Sequence, residues 1–126
     1  MKGILPVVFA ILLLAGCGGE PVEQISYQQI TQEAAKDMMD QQDVIVLDVR
    51  EQEEYDSGHI PGAVLLPVNA IGEDSAAAVI PEKDSVVLVY CRSGNRSKTA
   101  SKGLAELGYT QVYEFGGIQT WPYEIE

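Results

Sequence analysis

Basic residues are scarce in this chain of 126 residues, which has 8 lysines and arginines against 19 aspartates and glutamates. The formal net charge is −11, so nucleic acid is excluded as a partner because its phosphates would repel the chain. Anionic lipid head groups would also be repelled, so any membrane attachment must come from an anchor and not from a basic face. For most of the carboxylates we expect only a solubilising role.

The sequence also lacks an apolar run long enough to cross a bilayer. The longest run, Ile4 to Ala15, is interrupted only by Pro6, and it is well short of the roughly 20 residues of a spanning helix. A short charged start, Met1 to Gly3, precedes it. This order is typical of a signal peptide.

The apolar run ends in Leu14-Ala15-Gly16-Cys17, which resembles the lipobox of bacterial lipoprotein precursors. The resemblance implies that residues 1–16 are removed and that Cys17 becomes a diacylglycerol-modified N-terminus. Residues 17–24 are then the anchor and a polar tether, and residues 25–126 form one domain held on the outer face of the cell membrane. An ordinary secreted protein with a different cleavage site is the alternative.

Cysteine is limited to two residues, Cys17 and Cys91. In a secreted protein without lipid these two could form the only possible intrachain disulfide. Lipidation of Cys17 would instead leave Cys91 as a single free thiol outside the membrane, which cannot form an internal bridge.

From residue 25 onward, apolar runs alternate with helix-like stretches, and this pattern predicts an α/β domain with a mainly parallel sheet flanked by helices. A helix is expected from an N-cap at Thr31 to about Gln41, and another from Ser97 to Leu107, ended by Gly108. Continuous β-branched runs predict central strands, whereas an alternating run predicts a strand nearer an edge. The four predicted strands are Val44–Leu47, Ala63–Leu66, Val86–Tyr90 and the alternating Gln111–Phe115.

Asp48 and Cys91 each follow a predicted buried strand, so both should lie at the carboxyl edge of the sheet, where open parallel sheets bind ligands. After Cys91 the chain must turn from strand to helix, and Gly94 allows the backbone to curl. Such a turn can direct successive N–H groups and the helix dipole at one point. A thiolate there would have a lowered pKa.

Four of the seven basic residues that remain without Lys2 lie within the eleven positions from Arg92 to Lys102, where there is no acidic residue. This local positive charge should favour a small anion beside Cys91. The only histidine, His59, lies in a Gly-His-Ile-Pro-Gly turn, for which we expect a structural or surface role. A thiolate that the loop stabilises needs no general base, which agrees with this position of His59. Burial of an unreactive cysteine at a strand end is the plainer alternative.

The segment from Cys91 to Ser97 resembles the active loop of single-domain rhodaneses. Two further segments are similar to that family, Asp48 to Ala63 and Gly116 to Trp121. The resemblance implies a rhodanese-like fold and a sulfurtransferase, in which Cys91 takes a sulfane sulfur from thiosulfate or a similar donor as a persulfide. A thiol or cyanide then accepts the sulfur. The loop residues expected to bind the donor are Arg92, Ser93, Gly94, Asn95, Arg96 and Ser97.

By the same resemblance, Asp48 and Arg50 would support the site without reacting. It implies no cofactor or metal, and we expect a monomer. A non-catalytic surface module that binds an anion or delivers sulfur remains an alternative. So does a phosphatase or arsenate reductase of the same fold, although the phosphatase loop has one more residue between cysteine and arginine.

Overall fold

The structure is a computed structural model that describes residues 26–126. The predicted signal peptide, the lipid-modified Cys17 and the tether lie outside the described residues. Within residues 26–126, no helix is both long and apolar enough to cross a membrane.

The described residues form one five-stranded sheet in which every pair of neighbours is parallel. The order across the sheet is β1-β5-β4-β2-β3. The strands are β1 (Gln28–Gln29), β2 (Ile45–Asp48), β3 (Val64–Leu65), β4 (Val86–Cys91) and β5 (Gln111–Gly117). Strands β4 and β2 are central, as their unbroken apolar runs predict, and β5 is one strand from the edge.

Four α-helices connect the strands. They are α1 (Gln32–Gln41), α2 (Gln52–Asp56), α3 (Glu73–Val79) and α4 (Asn95–Glu106). Short 3₁₀ turns occupy Val68–Ala70 and Ile118–Thr120. Helix α1 has the predicted cap, since the Thr31 hydroxyl accepts the Ala34 N–H at 3.0 Å.

Helices cover both faces of the sheet, so the predicted fold class is confirmed. One apolar cluster joins Leu47, Val89 and Val112 of the sheet to Ala76 of α3 and Leu104 of α4. On the opposite face, a second cluster joins sheet residues such as Tyr90 and Phe115 to α1, α2 and Trp121. Each central strand is therefore buried on two sides, which is why its sequence shows no alternation.

The boundaries of α4 differ from the prediction. The helix begins at Asn95 rather than Ser97 and ends at Glu106, because Gly94 adopts a left-handed conformation with φ +107° and turns the chain directly into the first helical turn. At its other end Gly108 has φ +104°, as expected of a glycine that follows a helix.

Candidate active site

The site is built where β4 ends and α4 begins. Cys91 is the last residue of β4 and is only 1% exposed, and Gly94 precedes α4 in the left-handed conformation. Within this turn Ser93 and Asn95 are exposed, whereas Gly94 and Ser97 are buried. The thiol consequently lies at the base of the loop, beneath the backbone of the residues that follow it.

The sulfur of Cys91 faces hydrogen-bonding groups of the loop. The Gly94 N–H donates to Sγ at 3.0 Å, and the Ser97 hydroxyl oxygen lies 3.4 Å from Sγ. Burial raises the pKa of the Cys91 thiol, but hydrogen bonds with the Ser97 hydroxyl and with the backbone N–H groups of Ser97, Gly94 and Ser93 lower it. The net pKa is below the ordinary value of a cysteine, which favours the nucleophilic thiolate.

A buried carboxylate lies behind Ser97. Glu114 of β5 is 2% exposed, and its Oε2 accepts the Ser97 hydroxyl at 2.5 Å and the Gly116 N–H at 2.9 Å. Its Oε1 accepts the Gln29 amide at 3.2 Å. Ser97 therefore contacts both the Cys91 sulfur and the Glu114 carboxylate, so one hydroxyl separates thiol from carboxylate.

Arg96 forms an ion pair with a residue of α2. Its guanidinium donates to both carboxylate oxygens of Glu54, at 2.8 and 2.9 Å. The hydrogen bond from Arg96 lowers the pKa of Glu54 to about 2, against desolvation, and the Glu51 N–H, which donates to Glu54 at 2.9 Å, adds to the effect. This pair connects the first turn of α4 to the start of α2.

The positive charge near the loop is smaller than the count of basic residues implies. Arg96 is paired with Glu54, and Lys102 is paired with Glu106 at 2.7 Å. Arg92 and Lys98 are exposed, and neither has an acidic partner within ion-pair distance among residues 26–126. These two side chains are the cations left to attract an anion to the loop.

The chain after β5 holds the loop from behind. Gly117 lies directly against the Arg92 carbonyl group and the Ser93 backbone, where a side chain would have no room. The Gln119 N–H also donates to the Arg92 carbonyl at 3.1 Å. The path of the loop is thus fixed by contacts with residues more than twenty positions later in the chain.

Asp48 and Arg50 lie in a different network, on the other side of β4. The Asp48 carboxylate accepts hydrogen bonds from Arg50 Nε and Nη2, at 2.7 to 3.1 Å, and from the Tyr90 hydroxyl at 2.6 Å. Arg50 also donates to the Gly58 carbonyl at 2.7 Å, and the Ile60 N–H donates to Tyr90. Since Tyr90 precedes Cys91, this network supports the strand that carries the thiol without touching the sulfur.

His59 makes structural contacts with Tyr55 and with Glu126. Its ring stacks on Tyr55 with centroids 3.8 Å apart, its Nδ1 lies 2.9 Å from the Tyr55 carbonyl, and its Nε2 lies 3.4 Å from Glu126. These contacts agree with the structural role expected of this histidine.

Comparison with known proteins identifies the family. Residues 31–123 match the family model of the rhodanese-like domain. The chain belongs to the rhodanese-like family. This rhodanese-like domain spans α1 through the last 3₁₀ turn, and it includes the Cys91 loop, Glu114 and the Gly116-Gly117 pair.

Individual relatives agree with this placement. Thiosulfate sulfurtransferase GlpE of Coxiella burnetii is 35% identical over 96 residues, which cover 75% of this chain and 87% of that protein. Thiosulfate sulfurtransferase PspE of Escherichia coli is 41% identical over 73 residues, or 58% of this chain and 69% of that protein.

Solved structures share the fold. A rhodanese with anions from E. coli superimposes with a TM-score of 0.62 at 32% identity, covering 67% of this chain and 98% of that one. A rhodanese-like domain from Anabaena gives a TM-score of 0.71 at 27% identity, covering 78% and 77% of the two chains.

Three features of this rhodanese-like site were not predicted from the sequence: the carboxylate of Glu114, the pairing of Arg96 with Glu54, and the close approach of Gly117 to the loop. Glu114 was detectable in principle, because it alternates with Val112 and so lies on the buried face of β5. A charged residue on an inward face is a strong indication of a polar partner.

Proposed function

We propose that this protein is a sulfurtransferase that carries a sulfane sulfur on Cys91 as a persulfide. The observation that carries the proposal is the Cys91 sulfur at the end of a parallel strand, with the Gly94 N–H donating to it at 3.0 Å and the Ser97 hydroxyl oxygen 3.4 Å away. A backbone N–H that donates to sulfur stabilises the sulfur anion. The relatives named as thiosulfate sulfurtransferases support the same chemistry.

In the first half-reaction the Cys91 thiolate attacks the outer sulfur of thiosulfate. A bond forms between the two sulfurs, the sulfur–sulfur bond of thiosulfate breaks, and sulfite leaves with the bonding electron pair. The product is a Cys91 persulfide anion, whose terminal sulfur takes the place of the thiolate among the loop N–H groups. Arg92 and Lys98, the two exposed cations, would attract the dianionic donor.

In the second half-reaction an acceptor attacks the terminal sulfur. With cyanide, the new carbon–sulfur bond gives thiocyanate, and the bond to the Cys91 sulfur breaks so that the thiolate is restored. A thiol acceptor would give a new persulfide by the same displacement. The small loop, with four residues between Cys91 and Arg96, suits a single sulfur better than a tetrahedral phosphate.

The test is the intact mass of the protein after incubation with thiosulfate, followed by addition of cyanide. The expected result is a gain of one sulfur on the wild type, its loss to cyanide as thiocyanate, and neither change with Cys91→Ser. Equal thiocyanate production by the two proteins would overturn the enzymatic proposal. Loading without release to cyanide would also overturn it and would favour a sulfur-delivery module.

We also propose that the domain is lipid-anchored through Cys17 on the outer face of the cell membrane. The support is the order of charged start, apolar run and lipobox-like tetrapeptide in residues 1–17. Mass spectrometry of the mature N-terminus should find acylated Cys17. A terminus without acyl mass, or cleavage elsewhere, would refute the anchor without affecting the chemistry at Cys91.

A further inference from the structure

The Ser97 hydroxyl has a single hydrogen, and three groups lie near it: the Glu114 carboxyl group, the Cys91 sulfur and, at 3.4 Å, the Gly116 carbonyl. Glu114 Oε2 lies 2.5 Å from the hydroxyl oxygen, and the Cys91 sulfur lies 3.4 Å from the same atom on the other side. If the hydrogen is donated to Glu114, a lone pair of Ser97 faces the sulfur, which suits a thiol that donates its own proton. If the hydrogen is donated to a Cys91 thiolate, Glu114 must carry a proton to keep its short contact with Ser97.

Three hydrogen-bond donors surround the Glu114 carboxyl group. They are the Ser97 hydroxyl, the Gly116 N–H and the Gln29 amide. A charged Glu114 disfavours a second negative charge on Cys91, because the two groups are separated by only one hydroxyl. The pair therefore holds one negative charge more easily than two.

The surrounding charges do not supply another partner for this proton. Arg96 interacts electrostatically with Cys91, but its guanidinium is paired with Glu54. Lys98 lines an open cavity of about 340 Å³ beside the loop, together with Glu114 and the uncharged Gln32. Asp48 lies on the opposite face of the sheet, where it is bonded to Tyr90 and Arg50.

We propose that Glu114 is the proton acceptor for Cys91 and acts through Ser97, so that thiol and carboxylate share one proton. Glu114 does not touch the sulfur and is therefore a positioning residue for the proton. The inference rests on the sulfurtransferase function proposed above, and it assigns a base to Cys91 where the sequence alone indicated that none was needed.

The proton moves in two coupled steps. The Cys91 S–H bond breaks as an O–H bond forms on Ser97 Oγ, and the original Ser97 proton passes to Glu114 Oε2. The electron pair left on sulfur attacks the donor, and sulfite leaves as described. Glu114 is then neutral, so no second charge lies beneath the persulfide anion. When the acceptor removes the sulfur, the proton returns from Glu114 through Ser97 to the restored Cys91 thiolate.

The first test follows alkylation of Cys91 by iodoacetamide against pH in the full-length chain. Glu114→Gln keeps the size of the side chain and its ability to bond Ser97, but it removes the charge. Without the Glu114 charge, nothing on this carboxyl group repels a Cys91 thiolate. The pH midpoint for thiolate formation should therefore fall by about one pH unit, the scale at which two sites titrate as a coupled pair. The control, Glu106→Gln, removes the same charge from the exposed end of α4 and should leave the midpoint unchanged.

A purely structural role for Glu114 predicts the opposite direction. If this residue only braces Ser97 and Gly116, its replacement loosens the donors around the sulfur, and the midpoint stays in place or rises. Either of these results would overturn proton sharing. Because alkylation requires no sulfur donor, the outcome is independent of whether the protein transfers sulfur.

A second test avoids any change at Glu114, in case Glu114→Gln fails to fold. The carbon-13 signal of the Glu114 carboxyl is followed against pH in the wild type and in Cys91→Ser. Sharing predicts two steps in the wild type, one of them at the pH where the thiolate forms, and a single step in Cys91→Ser. A wild-type signal with no step at the thiolate midpoint would contradict the proposal.

Discussion

Replacing Gly117 with alanine tests how tightly the end of β5 fixes the active loop. The added Cβ would overlap the Arg92 carbonyl group and would lie 2.7 Å from the Ser93 Cα. Carbon atoms in van der Waals contact are about 3.5–4.0 Å apart, so the loop or the strand must move by about 1 Å. The obstacle is lack of space, because Gly117 has φ −134° and ψ 156°, an extended conformation open to any residue.

Two magnitudes follow from this displacement. Overpacking of this kind destabilises a protein by about 1–3 kcal/mol, which a domain with an ordinary stability of about 5–15 kcal/mol survives. A displacement of about 1 Å in a catalytic group lowers activity by about 100-fold. Gly117→Ala should therefore remain folded while its rate of sulfur loading from thiosulfate falls by about two orders of magnitude.

The assay measures the rate of sulfur loading by intact mass and the free energy of unfolding by denaturant titration. Gly103→Ala is the matched control, since a Cβ at this position in α4 would meet nothing within 4 Å, and alanine in a helix is more stable than glycine by about 0.5–1 kcal/mol. It should load sulfur at the wild-type rate. Normal loading and normal stability in Gly117→Ala would refute the assigned role of the contact.

Two further substitutions should change the free energy of unfolding, and for one of them the change should depend on pH. Glu54→Gln should lower the free energy of unfolding at neutral pH by about 1–2 kcal/mol, a range that allows for the 27% exposure of the Glu54 side chain. Because the folded pKa of Glu54 is lowered from 4.5 to about 2, the difference from wild type should vanish as the pH falls through this interval. A difference that stays constant in denaturant titrations from pH 7 to pH 2 would contradict the ion pair. Ser101→Ala should raise the free energy of unfolding by about 1 kcal/mol, since this buried hydroxyl has no hydrogen-bond partner among residues 26–126; a loss of stability would show that it has one.

The fold could be predicted wherever a long pattern repeats. The unbroken apolar runs of β2 and β4 and the amphipathic pattern of α4 specify the centre of the sheet and its main covering helix. Among the short elements, β3 was predicted, since its two residues lie within the run Ala63–Leu66, whereas α2 and β1 were not. Helix α2 has five residues, too few for periodicity to be visible, and β1 has two. These elements depend on partners distant in sequence, as β1 does on its pairing with β5.

Only the part of the site that is formed by consecutive residues could be predicted. The Cys91 turn consists of consecutive residues, so the position of the thiol and the presence of a turn at Gly94 follow from the sequence, although the helix after it begins two residues earlier than predicted. The partners of that turn come from elsewhere: Glu54 from α2, and Glu114 and Gly117 from β5. Which carboxylate meets Arg96 depends on how α2 packs against α4, and a list of charges along the chain does not contain that information.

The contacts that Gly117 and Gln119 make with the Arg92 carbonyl have a consequence for the order in which the thiol acquires its reactivity. Cys91 precedes β5 by twenty positions, and Gly117 and Gln119 reach its loop only when β5 has joined the sheet. The loop around the sulfur is therefore completed by β5, and a folding intermediate without this strand would lack the reactive thiol.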